Sequence, residues 1–347
     1  MPLKLKVGKQ PEQQPAPEGG SDGQPVKKLA IVSRAATGQG ESRWADNTFR
    51  FLVLACAVSL LVIVGLICFE LIKQSSLSTH KFGLKFLTTT IWNPVSGEFG
   101  SLPFIYGTLV SSFLGLLIAV PLSMGTALFL TEICPAFLRR ILGTTVELLA
   151  AIPSVIYGLW GIFVLAPFLR IYVEPWLQKH FGWTGLFEGP PYGIGMLAAG
   201  IILAIMVLPI IASVTREVIM AVPRQQREAV IALGATKWEV LRMGVLRNAR
   251  IGIVGAVILG LGRAIGETMA VTMVIGNRPE IAKSLLAPGY TLASVVANEF
   301  TEATDDLYLS SLIEAALVLF VITLIVNGLA RLLVWSVTRG TASRTLA

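Results

Sequence analysis

Arg263 and Glu267 lie four residues apart within an otherwise apolar segment, residues 249–276, in the string GRAIGETMAV. An arginine near the centre of a membrane-spanning helix costs roughly 3 kcal/mol on insertion scales, and such residues usually face a protein interior or a water-filled path. A guanidinium offers a planar fork of donors that suits phosphate oxygens, and a nearby carboxylate accepts the proton of a partly protonated anion. The pair is therefore a candidate functional site, and its chemistry permits an oxyanion ligand. Mutual neutralisation of the two charges within one helix is the alternative.

The elements that must hold this pair are hydrophobic helices. Of the 347 residues, 54% are hydrophobic and 14% are charged, with a mean hydropathy of +0.72. Six runs approach or exceed the length needed to cross a bilayer, about 20 helical residues. They are residues 50–72, 103–131, 145–169, 193–215, 249–276 and 307–335. The sequence thus predicts an all-α polytopic membrane protein with six transmembrane helices.

The fifth run sets the expected depth of the pair. Arg263 follows Ala249 by about 21 Å of helix rise, close to half the bilayer. Glu267 is expected one turn further along the same face of the same helix. Transporters commonly place substrate or gating groups at this depth.

The basic residues are distributed unequally between the two sides of the predicted membrane spans. With the amino terminus in the cytoplasm, 20 Lys and Arg side chains fall on the cytoplasmic side and 7 outside, which is the positive-inside bias. Both termini are therefore predicted to be cytoplasmic. The basic residues behind the net charge of +7 form no separate patch in the sequence. Nucleic acid is therefore not an expected partner, whereas membrane lipid is.

The ends of the chain differ from its middle. Residues 1–47 contain the run KQPEQQPAPEGGSDGQP, which lacks the apolar side chains that folding requires. A disordered cytoplasmic tail is predicted there, with partner docking as the alternative. Residues 48–340 are predicted to form a six-helix transmembrane domain, and residues 341–347 a cytoplasmic tail. The external loop 170–192 contains Trp176 and His180 and is expected to form a short interfacial helix.

A charged cytoplasmic loop, about residues 220–248, has helical spacing of apolar residues on both sides of Gly234. This pattern predicts a helix-turn-helix, and a plain amphipathic connector on the membrane surface is the alternative. The segment resembles the EAA loop of ABC importer permeases, with matches at Glu228, Ala229, Gly234 and Leu246, whereas Arg247 replaces the motif's proline. The resemblance implies that the loop docks on a separate ATPase subunit and couples ATP hydrolysis to gating.

Three longer strings carry a second resemblance: GRAIGETMAV, AIPSVIYGLWGIFVL at 151–165 and PFIYGTLVSS at 103–112. They are similar to the PstC permease family of bacterial high-affinity phosphate ABC importers, and the likeness runs over roughly residues 50–340. It implies a type I importer permease in the inner membrane that works by alternating access. The implied partners are a homologous PstA-like permease, two PstB-like ATPase subunits and an external PstS-like phosphate-binding protein. ATP and Mg belong to the ATPase, and no cofactor is expected on this chain.

By that resemblance, the transport residues are Arg263 and Glu267. Pro153 is expected to break the third helix beside the pathway, or to make a mere packing kink. Three hydroxyl residues are candidate pathway-lining groups, although hydroxyls in membrane helices often bond to their own backbone. They are Ser111, Ser112 and Thr272.

Other classes fit the residues less well. A membrane enzyme needs a nucleophile with a base, a metal or clustered acids, and the predicted spans show none; Glu147 and Glu314 are isolated in sequence. No catalytic residue is therefore predicted. The two histidines, His80 and His180, are both external, so no metal site is expected. A secondary transporter or channel remains an alternative, as does a permease for sulfate or molybdate.

Overall fold

The computed structural model describes residues 39–342. Most of the tail predicted to be disordered, residues 1–38, and the last five residues lie outside this range. The described chain divides into two units, one ending at Val64 and the other beginning at Gly65. The two units are described separately below.

The secondary structure is almost entirely helical. The α-helices are Gln39–Gln74, Ser76–Phe82, Lys85–Thr88, Leu102–Leu128, Ala136–Ala150, Ser154–Trp160, Ala166–Phe168, Glu174–Phe181, Met196–Met220, Arg224–Ala232, Lys237–Glu239, Arg247–Ile265, Met269–Val274, Leu292–Glu299 and Asp306–Ala342. Turns of π-helix at Phe129–Ile133, Gly161–Leu165, Leu169–Val173 and Val240–Leu246, with a 3₁₀ turn at Gly182–Thr184, continue neighbouring helices. Two short strands, Trp92–Asn93 and Glu98–Phe99, pair antiparallel between the first and second spans.

Six helical stretches are long and apolar enough to cross a membrane, which confirms the predicted number of spans. In chain order, spans 1 to 6 are Asp46–Gln74, Leu102–Ile133, Ser154–Thr184, Met196–Met220, Lys237–Ile265 and Asp306–Leu332.

The first unit is helical from Gln39 to Val64. Residues 39–47 were predicted to be disordered, and for these residues that prediction is wrong. The sequence between Glu41 and the apolar run contains neither proline nor glycine, so the helix of the apolar run extends backwards without a nucleation step of its own.

The predicted third span, residues 145–169, has the wrong boundaries. A separate amphipathic helix, Ala136–Ala150, ends before Pro153, and span 3 begins at Ser154. Proline lacks an amide donor and disfavours helical backbone at the preceding residue, so the helix cannot run through this point. Span 3 then continues to Thr184, through residues that were expected to lie in an external loop.

The predicted fifth span, residues 249–276, is also wrong at both ends. Span 5 begins at Lys237, where Thr236 and Glu239 form a reciprocal capping box. It ends at Ile265 with Gly266 as its C-cap, and a second, short helix follows at Met269–Val274. Capping boxes satisfy the first amide donors of a helix, which explains the early start.

Span 4 is at the centre of the second unit and contributes more buried side chains to the main core than any other helix. Ile202, Val207 and Ile211 pack with Val271 and Val274 of the short helix after span 5. Glycines allow close approach: a Cβ at Gly115 of span 2 would lie 2.8 Å from the Leu203 Cβ. Small residues at such contacts are typical of helix packing in membranes.

Gly107 and Gly125, both in span 2, make a matched test of this packing. A Cβ at Gly107 would collide with the backbone carbonyl of Tyr290, whereas a Cβ at Gly125 meets no atom within 4 Å. We expect Gly107→Ala to lower the free energy of unfolding by about 1–3 kcal/mol through overpacking. Gly125→Ala should be neutral or stabilising by up to about 1 kcal/mol because alanine favours the helix. Denaturation of the purified variants, followed by fluorescence, measures both; equal stabilities would contradict the close approach.

Candidate functional site

Arg263 and Glu267 meet at the end of span 5 rather than on one continuous helix. Arg263 lies in the last turn of the span, and Glu267 lies two residues beyond its end. The Arg263 Nη2 and Glu267 Oε2 atoms are 3.9 Å apart, and the side chains are 41% and 7% exposed. This separation is too long for a hydrogen bond, so the contact is electrostatic only. The expectation that both residues share one helical face is corrected accordingly.

The buried Glu267 carboxylate is held by the backbone of the helix that follows the break. Glu267 Oε1 accepts a hydrogen bond from the Ala270 amide at 3.4 Å, in the first turn of the helix Met269–Val274. The Glu267 amide is 3.5 Å from the Ala264 carbonyl, at the end of span 5. Gly266 between them favours a helix end, since glycine is about 1 kcal/mol worse than alanine inside a helix. Glu267 therefore joins the two helical pieces.

The Arg263 guanidinium keeps its donors available. Within residues 39–342, the contact to Glu267 is its one ion pair, and no hydrogen bond to the chain holds its N–H groups. A guanidinium carries five N–H donors in a fixed fork. An exposed fork beside a buried carboxylate, in an apolar segment, is suited to a passing anion.

A second helix break lies next to the first. Pro153 precedes the first turn of span 3 with extended backbone, at ψ 138°. The Tyr157 hydroxyl donates to the Leu149 carbonyl across this break at 2.8 Å. A Cβ at Gly158 would lie 3.2 Å from the Ala270 Cα, so span 3 packs directly on the short helix after span 5. The breaks in the two helices thus lie close to each other.

The three hydroxyl residues are less closely tied to the pair. Thr272 Oγ1 donates to the Thr268 carbonyl at 2.7 Å, and Ser111 Oγ donates to the Gly107 carbonyl at 2.7 Å. Ser111 and Ser112 are buried in span 2, and the Ser112 Oγ is unpaired among the described residues. No contact between these serines and Arg263 is found in the described chain. Their role in the pathway stays a prediction.

The loop 220–248 forms a helical hairpin, residues 224–246. Its first helix, Arg224–Ala232, carries Glu228 and Ala229 on exposed positions. Gly234 has a φ of +79°, a left-handed conformation that favours glycine, and it makes the turn. The second arm is the first part of the helix of span 5, from Lys237 to Leu246. Leu246 is half-buried against the base of the spans.

The tip of this hairpin is apolar and open. Leu233 is 87% exposed and Trp238 is 63% exposed, one on each side of the Gly234 turn. Large exposed apolar side chains at a polar surface commonly mark contact with a partner.

Two ion pairs escaped the sequence analysis because no local pattern shows them. Glu147, which is isolated in sequence, pairs with Arg216 at 2.5 Å, and Glu132 pairs with Arg227 at 2.8 Å. Both pairs join segments that are far apart in the chain. The capping box TKWE at 236–239, in contrast, is a local signal that was available in the sequence.

Comparison with known proteins defines the class. Residues 119–339 match the family described as "Binding-protein-dependent transport system inner membrane component". The chain belongs to this family, a family of multi-pass membrane permeases of ABC importers. A solved structure titled "Inward facing conformations of the MetNI methionine ABC transporter" aligns with 69% of this chain and 94% of its own, at 20% identity and a TM-score of 0.45.

Similar proteins place the chain more narrowly, in the PstC permease family. The phosphate transport system permease protein PstC of Mesorhizobium japonicum is 51% identical over 290 residues, covering 82% of this chain and 89% of that one. PstC of Xylella fastidiosa is 46% identical, with coverages of 85% and 92%. PstC 2 of Mycobacterium tuberculosis is 39% identical, with coverages of 89% and 96%. The resemblance drawn from the three strings is confirmed.

A double-mutant cycle tests whether the pair serves mainly to neutralise charge. Because the atoms are 3.9 Å apart and the arginine is 41% exposed, we expect a coupling free energy below about 1 kcal/mol between Arg263→Ala and Glu267→Ala. Reversible unfolding of the purified single and double variants gives this value. A coupling of about 3 kcal/mol or more would show a structural ion pair instead.

Proposed function

We propose that this chain is the transmembrane permease subunit of an ATP-driven importer of inorganic phosphate. It lies in the bacterial inner membrane with both termini in the cytoplasm and provides half of the pathway by alternating access. The observation that carries the proposal is the Arg263 guanidinium at the end of span 5, which is exposed and has no hydrogen bond within residues 39–342. Its relatives, named as phosphate transport permeases, support the choice of substrate.

Arg263 acts on the energetic barrier that hydrocarbon presents to an anion. A fixed positive charge in a low-dielectric region offsets the loss of hydration of a passing phosphate. Glu267, 3.9 Å away, opposes this attraction and keeps it moderate. Conduction requires binding that is favourable enough for entry and weak enough for release. The pair satisfies both demands with two side chains.

Glu267 also favours phosphate over other oxyanions. A partly protonated phosphate has a P–OH donor that a carboxylate accepts, whereas sulfate and molybdate are fully deprotonated at neutral pH and are repelled. Arginine alone would not distinguish these anions because its fork fits all of them.

Replacement of Arg263 tests the proposed role. We expect Arg263→Gln to reduce uptake of labelled phosphate at least tenfold (about 1.4 kcal/mol in the barrier) while the complex still assembles. Arg263→Lys should recover part of the rate because it keeps the charge but loses the fork. The measurement is uptake by the reconstituted complex, with sulfate and molybdate as competing anions and Arg140→Gln, an exposed arginine elsewhere, as the control. Normal uptake by Arg263→Gln would contradict the role.

The partners follow from the same proposal. An external PstS-like protein delivers phosphate, a PstA-like permease supplies the other half of the pathway, and two PstB-like subunits bind ATP and Mg. We assign residues 228–246 to docking on the ATPase, with Leu233 and Trp238 at the tip as apolar contacts. This chain contributes no catalytic group to ATP hydrolysis.

The hairpin is mechanically joined to the arginine. Span 5 is helical from Lys237 to Ile265, so Trp238 and Arg263 lie on one helix about 38 Å apart. A displacement of the tip by the ATPase dimer moves Arg263 as part of a rigid body, which is a familiar basis for switching.

Gly234→Pro tests the coupling. Proline requires φ near −65°, so it cannot adopt the +79° of this turn, and the tip must deform. We expect the variant to reach the membrane but to lose the ATPase activity that phosphate and the binding protein stimulate. Gly185→Pro is the matched control, because Gly185 has a φ of +72° and equally open surroundings at the end of span 3. Full stimulation in Gly234→Pro would refute docking through this turn.

A further inference from the structure

A cavity of about 490 Å³ opens beneath the hairpin, well separated in sequence from Arg263. We call it the arginine pocket. It is lined by Thr131, Arg139, Met220, Val222, Arg224, Arg227 and Glu228. These residues come from the end of span 2, the amphipathic helix Ala136–Ala150, the end of span 4 and the first arm of the hairpin.

The pocket carries an excess of positive charge. Arg227 is neutralised by Glu132, with a distance of 2.8 Å between Nη1 and Oε1. Arg139 and Arg224 then face a single lining carboxylate, Glu228, which forms no ion pair within residues 39–342. In the same range, the Arg224 side chain has neither a hydrogen bond nor an ion pair. The excess positive charge of the lining would attract an anion that enters the pocket.

Arg139 contributes a buried donor that lacks an acceptor. Its Nη2 donates to the Thr131 and Cys134 carbonyls at 3.1 and 3.2 Å, which fixes the guanidinium at the wall of the pocket. Its Nε is buried and has no partner in the described chain. A buried, unsatisfied donor is costly in a native protein and calls for a specific explanation. Because the chain encloses this Nε, a ligand oxygen in the pocket would reach it only after a shift of the Arg139 side chain.

We propose that the arginine pocket binds a phosphate group, with Arg139 and Arg224 as its principal donors. Arginine forks match the geometry of phosphate oxygens, and basic pockets between transmembrane helices bind anionic lipid headgroups. The phosphate group belongs either to an anionic phospholipid of the adjacent leaflet or to free inorganic phosphate. A bound phosphate would join the hairpin, through Arg224, to Arg139 beside span 2.

The test uses the assembled complex of the two permeases and the ATPase subunits, without the external phosphate-binding protein and with Arg263→Gln as background, so that neither that protein nor the pathway site contributes to binding. One arm measures binding of labelled inorganic phosphate by equilibrium dialysis. The other counts phosphatidylglycerol retained by complexes in nanodiscs of phosphatidylcholine with a small fraction of phosphatidylglycerol, by native mass spectrometry. Because neither arm requires transport, a negative result here is distinguishable from failure of the proposed function.

We expect one saturable ligand per permease in one of the two arms, and that arm identifies the source of the phosphate group. Arg224→Gln should weaken this binding at least tenfold, and Arg139→Gln with Arg224→Gln should abolish it. Arg140→Gln, on the same helix as Arg139 but outside the pocket lining, should bind like the background. If the double variant fails to assemble, Arg224→Gln alone decides.

Three results would overturn the proposal. They are unchanged binding in the Arg224→Gln complex, an equal loss of binding in Arg140→Gln, and no binding of either probe to the assembled transporter.

Discussion

The structure depends on how one positive charge is accommodated in an apolar span. A guanidinium in hydrocarbon needs a compensating charge, yet a strong ion pair would leave it unable to bind anything else. Ending span 5 at Gly266 resolves this conflict. The break places Glu267 beside Arg263 at 3.9 Å, held by the next helix and not by the arginine itself.

The same break explains the packing around it. The helix Met269–Val274 restarts after the break and contributes to the main core against span 4. Span 3 contacts it through Gly158, immediately after the break at Pro153. Broken helices at membrane depth are tolerated where they are packed in protein or line a cavity. Two adjacent breaks beside a cation are therefore consistent with a pathway, and they concentrate the irregular backbone at one place.

Span 5 links this site to the hairpin. Because the capping box at Thr236 starts the helix beyond the apolar run, the span reaches from the hairpin tip to Arg263 without interruption. Arg247, which replaces a proline of the EAA pattern, lies inside this continuous helix. A proline there would have weakened the connection, so the substitution favours rigid transmission.

Much of the fold follows from the sequence by simple physics. Hydropathy predicts six spans because, in an apolar segment of this kind, a helix satisfies the backbone hydrogen bonds within the bilayer. The turn at Gly234 is predicted because a glycine separates two amphipathic segments. The start of span 3 at Ser154 could have been predicted from the sequence because Pro153 precedes it. The end of span 5 could not be predicted in this way, because Gly266 is one of five glycines between residues 249 and 266 and glycine stops a helix less strictly than proline does.

Long-range contacts set the other limit on sequence reasoning. The pairs Glu147–Arg216 and Glu132–Arg227, and the grouping of Arg139 with Arg224, depend on how the helices assemble. Sequence spacing identifies neighbours only within one helix or hairpin. The candidate pair at 263 and 267 was found because its charges stand out in apolar surroundings, whereas its geometry required the structure.

The central claim is that positive charge at position 263 lets the anion cross, while the fork of the guanidinium adds to the rate. Arg263→Cys in a chain whose Cys56, Cys68 and Cys134 are replaced by serine gives one reactive thiol for chemical modification. We expect attachment of an ethylammonium group to restore a substantial part of phosphate uptake, and attachment of a neutral methyl group of similar linkage to restore none. Equal uptake after both modifications would contradict the account.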